Sequence, residues 1–289
     1  MKLVLHSNTQ KAIQGIVSKP SQALLIIAPE GAGKGSLALY IACKVLNIDE
    51  SKLLQYPYKL QISPVDQAIS IDTIRSVQQF MRLKTTGRAQ AIRRLIIIEG
   101  AETLTIEAQN AFLKMLEEPP ADTIIIMTCA NEHSLLPTIM SRVQSLRVTP
   151  PSKASLDDYY TEQGFDQTDV DKAFYISHGQ PGLMAGLLNE NSDHPLIAHI
   201  ETAKRLLSAS TFERLTMVDQ LSKQRTEMRQ LIRALQLTCH AALTQASQRG
   251  QLAQVKRWHG LLSRLNLAER YMDSNPNLKL LMTDLSLGL

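Results

Sequence analysis

Residues 23–36 read ALLIIAPEGAGKGS, and this stretch decides the fold of the first half of the chain. Its first six residues form a continuous apolar run, as expected for a strand that is buried on both faces of a parallel sheet. A Gly-rich turn follows and leads into a predicted helix over residues 34–46, with Leu37, Ile41 and Val45 on one stripe. A strand, a Gly-rich turn and a helix in this order predict a phosphate-binding P-loop.

The turn matches the P-loop pattern G-x-x-x-x-G-K-[ST] only in part. Gly31 and Gly33 supply the flexible backbone whose amides wrap phosphates, and Lys34 stands where a P-loop lysine reaches the β- and γ-phosphates. The first glycine of the pattern is Ala28 in this chain, and Gly35 replaces the hydroxyl residue that binds Mg²⁺. A Gly-rich turn that binds nothing is the alternative, so these residues leave open whether ATP still binds.

The segment after the next predicted strand lacks a catalytic base. A hydrolytic P-loop ATPase of this class ends that strand with Asp-Glu, which hold the metal and polarise the attacking water. Here Leu95–Ile98 is followed by Glu99 and Gly100. Glu99 is one methylene longer than Asp and keeps the reach to a metal, whereas Gly100 has no base, and Glu102 is expected to face solvent. The loss of both the hydroxyl and the base predicts weak or absent hydrolysis.

Strands and helices continue to alternate up to residue 150. Asp72 and Thr105 are predicted to cap two further helices, the second of which ends at the proline pair 119–120. Apolar runs at 123–127 and 145–148 predict two more strands. Repeated strand–helix units with short connections predict an α/β domain with a parallel sheet over residues 1–150.

Only helices are predicted beyond the proline pair at 150–151. Three short helices, broken at Gly164 and at residues 179–182, predict a small helical domain over residues 151–191. Residues 192–289 carry apolar stripes at helical spacing and predict an all-helical C-terminal domain. One stripe contains Met228, Leu231, Leu235, Cys239, Ala242 and Ala246, and the other contains Leu252, Val255, Trp258, Leu262 and Leu265.

Two further motifs identify a family. Residues 110–120 read NAFLKMLEEPP and closely resemble the N-A-L-L-K-x-L-E-E-P-P signature of bacterial clamp-loader AAA+ subunits. Residues 135–143 read LLPTIMSRV and are similar to the L-L-P-T-I-x-S-R-C motif of the same family. The degenerate P-loop resembles the delta-prime type more than the motor subunit, which is called gamma or tau. Residues 179–182 (GQPG) also resemble the delta-prime turn, with Gly182 where the motor subunit carries a sensor arginine.

The resemblance implies an AAA+ P-loop domain, a helical lid domain and an all-helical collar domain used for oligomerisation. It also implies a pentameric machine that uses ATP to open a sliding clamp and place it on primed DNA. The partners implied are the gamma/tau and delta subunits, with the clamp and DNA reached through the complex. Arg142, the arginine of the S-R-C-like motif, would complete the ATP site of a neighbouring subunit. An ion-paired surface arginine is the alternative for this residue.

Composition and cysteine spacing set outer bounds on the function. Lys and Arg number 31 against 27 for Asp and Glu, and this net charge of +4 permits contact with DNA phosphates without demanding it. Two clusters of arginine are interpreted as charged side chains in solvent, and contact with DNA is the alternative for the first of them. The clusters are residues 88, 93 and 94, and residues 225, 229 and 233. Three widely spaced cysteines predict no disulfide and no zinc site, although family members usually carry a four-cysteine zinc module. With no apolar run long enough for a membrane span, a cytoplasmic protein is expected.

Two other functions remain in competition with an assembly subunit that lacks ATPase activity. An active motor ATPase would have to rely on Lys34, Glu99 and the displaced Ser36. A small P-loop kinase would be expected to keep a hydroxyl residue after Lys34 and to carry a lid rich in Arg and Asp, and neither is present.

Overall fold

The computed structural model of the protein describes residues 3–65, 68–84, 92–189, 194, 196–274 and 276–289. The chain divides into two compact units, Met1–Ser152 and Lys153–Leu289. The further division of the second unit into a lid and a collar stays a prediction. Its expected boundary at residues 191–192 lies outside the described residues, as does Arg88.

A five-stranded sheet forms the centre of the first unit. All its neighbouring strands are parallel, and their order is β2-β3-β4-β1-β5. The strands are β1 (Ala23–Ile27), β2 (Lys59–Ile62), β3 (Arg94–Ile98), β4 (Thr123–Cys129) and β5 (Gln144–Arg147). The predicted parallel α/β domain is therefore confirmed, and the carboxyl ends of β1, β3 and β4 meet at one edge of the sheet, where α/β proteins place their sites.

Helices cover both faces of this sheet. They are α1 (Ser7–Ser18), α2 (Lys34–Leu46), α3 (Glu50–Leu54), α4 (Ile71–Arg82), α5 (Ile106–Glu117) and the short α6 (Pro137–Met140). Alternate strand residues point to opposite faces, so Leu24 and Ile26 pack with α1 and α2 while Leu25 packs with α4 and α5. Each of these side chains is fully buried and contributes about 1.5–3 kcal/mol by leaving water.

The helix ends follow local capping chemistry. The Thr105 side chain accepts a hydrogen bond from the Ala108 amide and caps α5, as predicted. The predicted cap at Asp72 is wrong, because α4 begins at Ile71 and the Ser70 side chain accepts a hydrogen bond from the Thr73 amide. Asp72 instead lies in the first turn of α4, where its charge is favourable to the helix dipole.

The second unit contains helices and no strand among its described residues. The three short helices are separated at the predicted breaks, and five more helices follow. The eight are α7 (Lys153–Glu162), α8 (Gln167–Ser177), α9 (Pro181–Leu188), α10 (Leu196–Ser208), α11 (Thr211–Leu221), α12 (Arg225–Gln248), α13 (Leu252–Asp273) and α14 (Leu278–Gly288). None of the described helices combines the length and apolar character that a bilayer crossing needs.

Of the two apolar stripes predicted for the C-terminal helices, the one on α12 is buried almost throughout, whereas the one on α13 is buried only in part. On α12 the predicted stripe is buried from Met228 to Ala246, apart from the half-buried Ala242. On α13 the prediction is partly wrong, because Leu252 is 75% exposed while Leu261 and Ala268, which the stripe omitted, are buried. The first turns of α13 extend beyond the packed core, so apolar spacing alone placed the stripe too early.

Candidate functional site

The turn between β1 and α2 is built around two glycines in the left-handed conformation. Gly31 and Gly33 adopt left-handed φ values of 82° and 78°, which residues with a Cβ rarely tolerate. Gly33 is also the N-cap of α2, whose first amides receive no side-chain cap. The Ala28 amide donates to the Cys129 carbonyl (3.1 Å) and ties the start of the loop to the end of β4.

Lys34 is turned back onto its own loop. Its Nζ donates hydrogen bonds to the carbonyl oxygens of Ala28 (2.9 Å) and Pro29 (3.0 Å). Burial lowers the pKa of Lys34 below its ordinary value, and the nearby carboxylates of Glu102 and Glu30 partly oppose that effect. The lysine therefore stands at the predicted place with two of its three donors engaged within the loop.

Glu99 lies directly beside the residue that lacks the magnesium-binding hydroxyl. A Cβ placed on Gly35 would stand 3.0 Å from Glu99 Oε1, closer than an ordinary van der Waals contact. The same carboxylate accepts hydrogen bonds from Gln61 Nε2 (3.1 Å) and Ser63 Oγ (2.8 Å), both close to the end of β2. Glu99 is thus fixed at the start of α2.

The expectation that Glu102 faces solvent is wrong. Gly100 turns with a left-handed φ of 63° and donates its amide to Thr128 Oγ1 (3.1 Å), and a short 3-10 turn follows at Ala101–Thr103. This turn folds Glu102 over the edge of the sheet, where its Oε1 accepts a hydrogen bond from the Ala130 amide (3.0 Å). Burial and the neighbouring Glu102 raise the pKa of Cys129 to about 12, so this thiol stays protonated at neutral pH.

Arg142 lies in the turn that follows α6. Its guanidinium donates to the Thr138 carbonyl (2.9 Å) and to Ser141 Oγ (3.1 Å), and it forms an ion pair with Glu117 at 2.8 Å. Glu117 is the last residue of α5 and belongs to the LEEPP stretch. The two recognised motifs are therefore in contact, and the Arg142 side chain remains 35% exposed.

The structure brings Lys34, Glu99 and Glu102 together at the sheet edge, whereas the contacts of Arg142 are with α5 and α6.

Sequence reasoning missed Gln109, one residue before the NAFLK stretch. This side chain is buried, donates to the carbonyls of Leu104 (3.2 Å) and Ser134 (3.1 Å), and accepts from the Leu136 amide (2.8 Å). A polar residue on the inward stripe of α5, next to Ala108 and Phe112, is the signal that could have revealed it.

Three arginines of the two basic clusters make structural contacts within their own units. Arg94 is buried, not solvated, since its guanidinium bonds Thr123 Oγ1 and the Leu83 carbonyl and pairs with Asp122. Arg225 and Arg229 donate to the carbonyl of Met272 near the end of α13, where a cation is favourable to the helix dipole. These three arginines therefore have structural partners.

The fold and the loop define an AAA+ class of P-loop protein. The family model described as DNA polymerase III, delta subunit, matches residues 6–152, which is half of the chain, and the chain belongs to this family. Together with the delta' relatives described next, this match confirms the resemblance to the delta-prime type that was recognised in the sequence.

Several known proteins are similar to this chain. The delta' subunit of Pseudomonas aeruginosa DNA polymerase III is 31% identical over 154 residues, covering 47% of this chain and 46% of that protein. The Haemophilus influenzae delta' subunit is 27% identical over 183 residues, covering 58% and 55%. The chain thus matches about half the length of these relatives. A solved gamma subunit-related protein of Thermotoga maritima shares the fold, with a TM-score of 0.59 at 20% identity over 96% of this chain and 97% of that one.

Proposed function

We propose that this chain is a delta-prime-like subunit of the DNA polymerase III clamp loader. In this role it helps to load the sliding clamp on primed DNA, assembles with gamma/tau and delta subunits, and hydrolyses no ATP itself. The observation that carries the proposal is the coexistence of the family motifs with Gly35 and Gly100. The family match supports the clamp-loader role, and the two glycines support the absence of hydrolysis because they leave neither a magnesium hydroxyl nor a base.

In this proposal Arg142 acts on the ATP bound by a neighbouring motor subunit. A transferring phosphoryl group spreads negative charge over its equatorial oxygens, and a guanidinium placed there stabilises the transition state. The exposure of Arg142 supports this role because a fully buried arginine could not reach another chain. Its ion pair with Glu117 is half exposed and is therefore worth only about 0–1 kcal/mol, so it does not prevent the guanidinium from moving to a phosphate.

The test is Arg142→Ala in a loader reconstituted from wild-type partners. We expect DNA-stimulated ATP hydrolysis at the adjoining motor site to fall by about 10³-fold or more, the range that arginine fingers contribute in other phosphoryl-transfer systems. The total steady-state rate falls less, because other motor sites continue to turn over. Arg142→Lys should restore little, since an ammonium lacks the planar fork of a guanidinium.

Arg75→Ala is the matched control, because Arg75 is another exposed arginine of the first unit and pairs with Asp72 at 2.7 Å. Gel filtration of each reconstituted complex must first show complete assembly. Unchanged hydrolysis and clamp loading in a fully assembled Arg142→Ala complex would refute the assignment of Arg142.

A further inference from the structure

The shape of the loop is altered by two complementary changes. A P-loop ATPase has a hydroxyl residue at the position of Gly35 and an aspartate at the position of Glu99. In this chain the first position has lost its side chain and the second is longer by one methylene. The Glu99 carboxylate takes up the vacated volume, since its Oε1 lies 3.0 Å from the place of a Gly35 Cβ. Hydrogen bonds from Gln61 and Ser63 hold the carboxylate there.

The charge around the loop also opposes nucleotide. Lys34 is accompanied by the carboxylates of Glu30 and Glu102, which act on its charge, and by Glu99 at the start of α2. Two carboxylates therefore act on the one cation, and a third, that of Glu99, lies beside the next residue, Gly35. A nucleotide triphosphate carries several negative charges, and like charges close together in a partly buried site are costly. The Lys34 ammonium also donates hydrogen bonds to the carbonyls of Ala28 and Pro29.

The backbone of the loop, in contrast, is intact. Gly31 and Gly33 keep their left-handed conformations, and α2 begins at the position that a phosphate site requires. The obstacle to Mg²⁺-nucleotide thus lies in side chains and not in the course of the chain. The residues present do not fit a Mg²⁺ held as in a P-loop ATPase, because Gly35 offers no hydroxyl and both oxygens of Glu99, which was expected to keep its reach to a metal, are bonded to Gln61 and Ser63.

We infer that the Glu99 carboxylate excludes nucleotide from this loop, and that a larger side chain at position 35 combined with a shorter one at position 99 opens it. This inference rests on the proposed role as a subunit without ATPase activity and names the side chain that closes its site. Gly35→Ser alone should not open the loop, because its Cβ would stand 3.0 Å from Glu99 Oε1 and the hydrogen bonds from Gln61 and Ser63 resist the small shift that Glu99 would have to make. In the double variant Gly35→Ser/Glu99→Asp, the side chain of residue 99 is shorter by one methylene and residue 35 gains a hydroxyl.

Isothermal titration of the full-length chain with ATP and Mg²⁺ tests this inference. We expect no measurable binding by the wild type or by Gly35→Ser, and measurable binding by the Gly35→Ser/Glu99→Asp double variant, with a Kd at least about tenfold below the detection limit of the titration. Gly15→Ser is the matched control for adding a serine to a helix, because a Cβ on Gly15 has no atom within 4 Å. Circular dichroism establishes that each variant is folded.

Equal affinity of the wild type and the double variant would overturn the inference, as would a folded double variant that binds nothing. Tight binding by Gly35→Ser alone would also refute it, because Glu99 would then be no obstacle. If the double variant fails to fold, Glu99→Ala decides: it removes the carboxylate without adding an atom at position 35, and it must bind ATP more tightly than the wild type. Binding by the wild type without turnover contradicts only this inference, whereas turnover by the wild type contradicts the proposed function.

Discussion

Gln109 offers a sharp test of how the segment before Arg142 is held in place. Its side chain joins three backbone groups that lie outside α5, namely the carbonyls of Leu104 and Ser134 and the amide of Leu136. Gln109→Leu keeps nearly the same side-chain volume, so the change removes hydrogen bonds without leaving a large cavity.

The cost follows from what happens to each backbone partner. Ser134 is exposed, so its carbonyl can bond water after the change, and the loss there is about 1 kcal/mol. Leu104 is buried, and a buried carbonyl that is left without a partner costs about 1–3 kcal/mol. Leu136 is only half buried, so the loss of its hydrogen bond is taken as about 1 kcal/mol, as for Ser134. The free energy of unfolding of the first unit should therefore fall by about 3–5 kcal/mol.

Urea unfolding followed by hydrogen exchange is the appropriate assay. Mass spectrometry of the peptide that contains Leu136 reports the first unit, and its amide should exchange faster by a factor of about 100 or more. Trp258 is the single tryptophan of the chain and lies on α13, so its fluorescence reports the second unit separately. Gln10→Ala, at an exposed position of α1, is the control. A Gln109→Leu midpoint within error of that control would refute the reasoning.

Three other predictions concern the whole chain. The purified protein should hydrolyse ATP more slowly than about 1 s⁻¹, the low end for ordinary enzymes, because it lacks a base at Gly100; faster turnover in a phosphate-release assay would contradict this. A chain ending near residue 191 should join the reconstituted loader weakly in gel filtration, because the helices beyond it carry most of the predicted oligomer contacts; full affinity would count against a collar. Burial and the neighbouring His240 and Arg233 lower the pKa of His178 from 6.5 to about 4, so the unfolded state binds this proton first as pH falls. Stability should therefore decrease between about pH 6.5 and 4, and only modestly, because His178 is partly buried and part of its surface still meets water. Asn also tolerates the left-handed φ of 54°, so His178→Asn should flatten that pH profile in thermal unfolding, and an unchanged profile would argue against the reasoning.

The sequence alone determined the elements whose signals are local. The apolar run of β1 and the stripe of α2 placed these elements within a residue of their observed bounds, since burial on both faces leaves no polar position in the strand. Thr105 also capped α5 as predicted. The edge strand β2 was missed because it pairs with β3 alone, and two of its four residues are only half buried. A strand of that kind has no continuous apolar run to recognise.

Only the tertiary structure determined where the side chains around the loop lie. Glu102 was expected in solvent, yet the left-handed Gly100 and the turn after it bring Glu102 to the Ala130 amide, 28 residues away along the chain. Arg142 and Glu117 are likewise 25 residues apart and meet because α5 and α6 pack together. Periodicity reports how one element is buried, whereas these contacts depend on which strands become neighbours. In a sheet with the order β2-β3-β4-β1-β5, segments distant in sequence therefore converge on one edge.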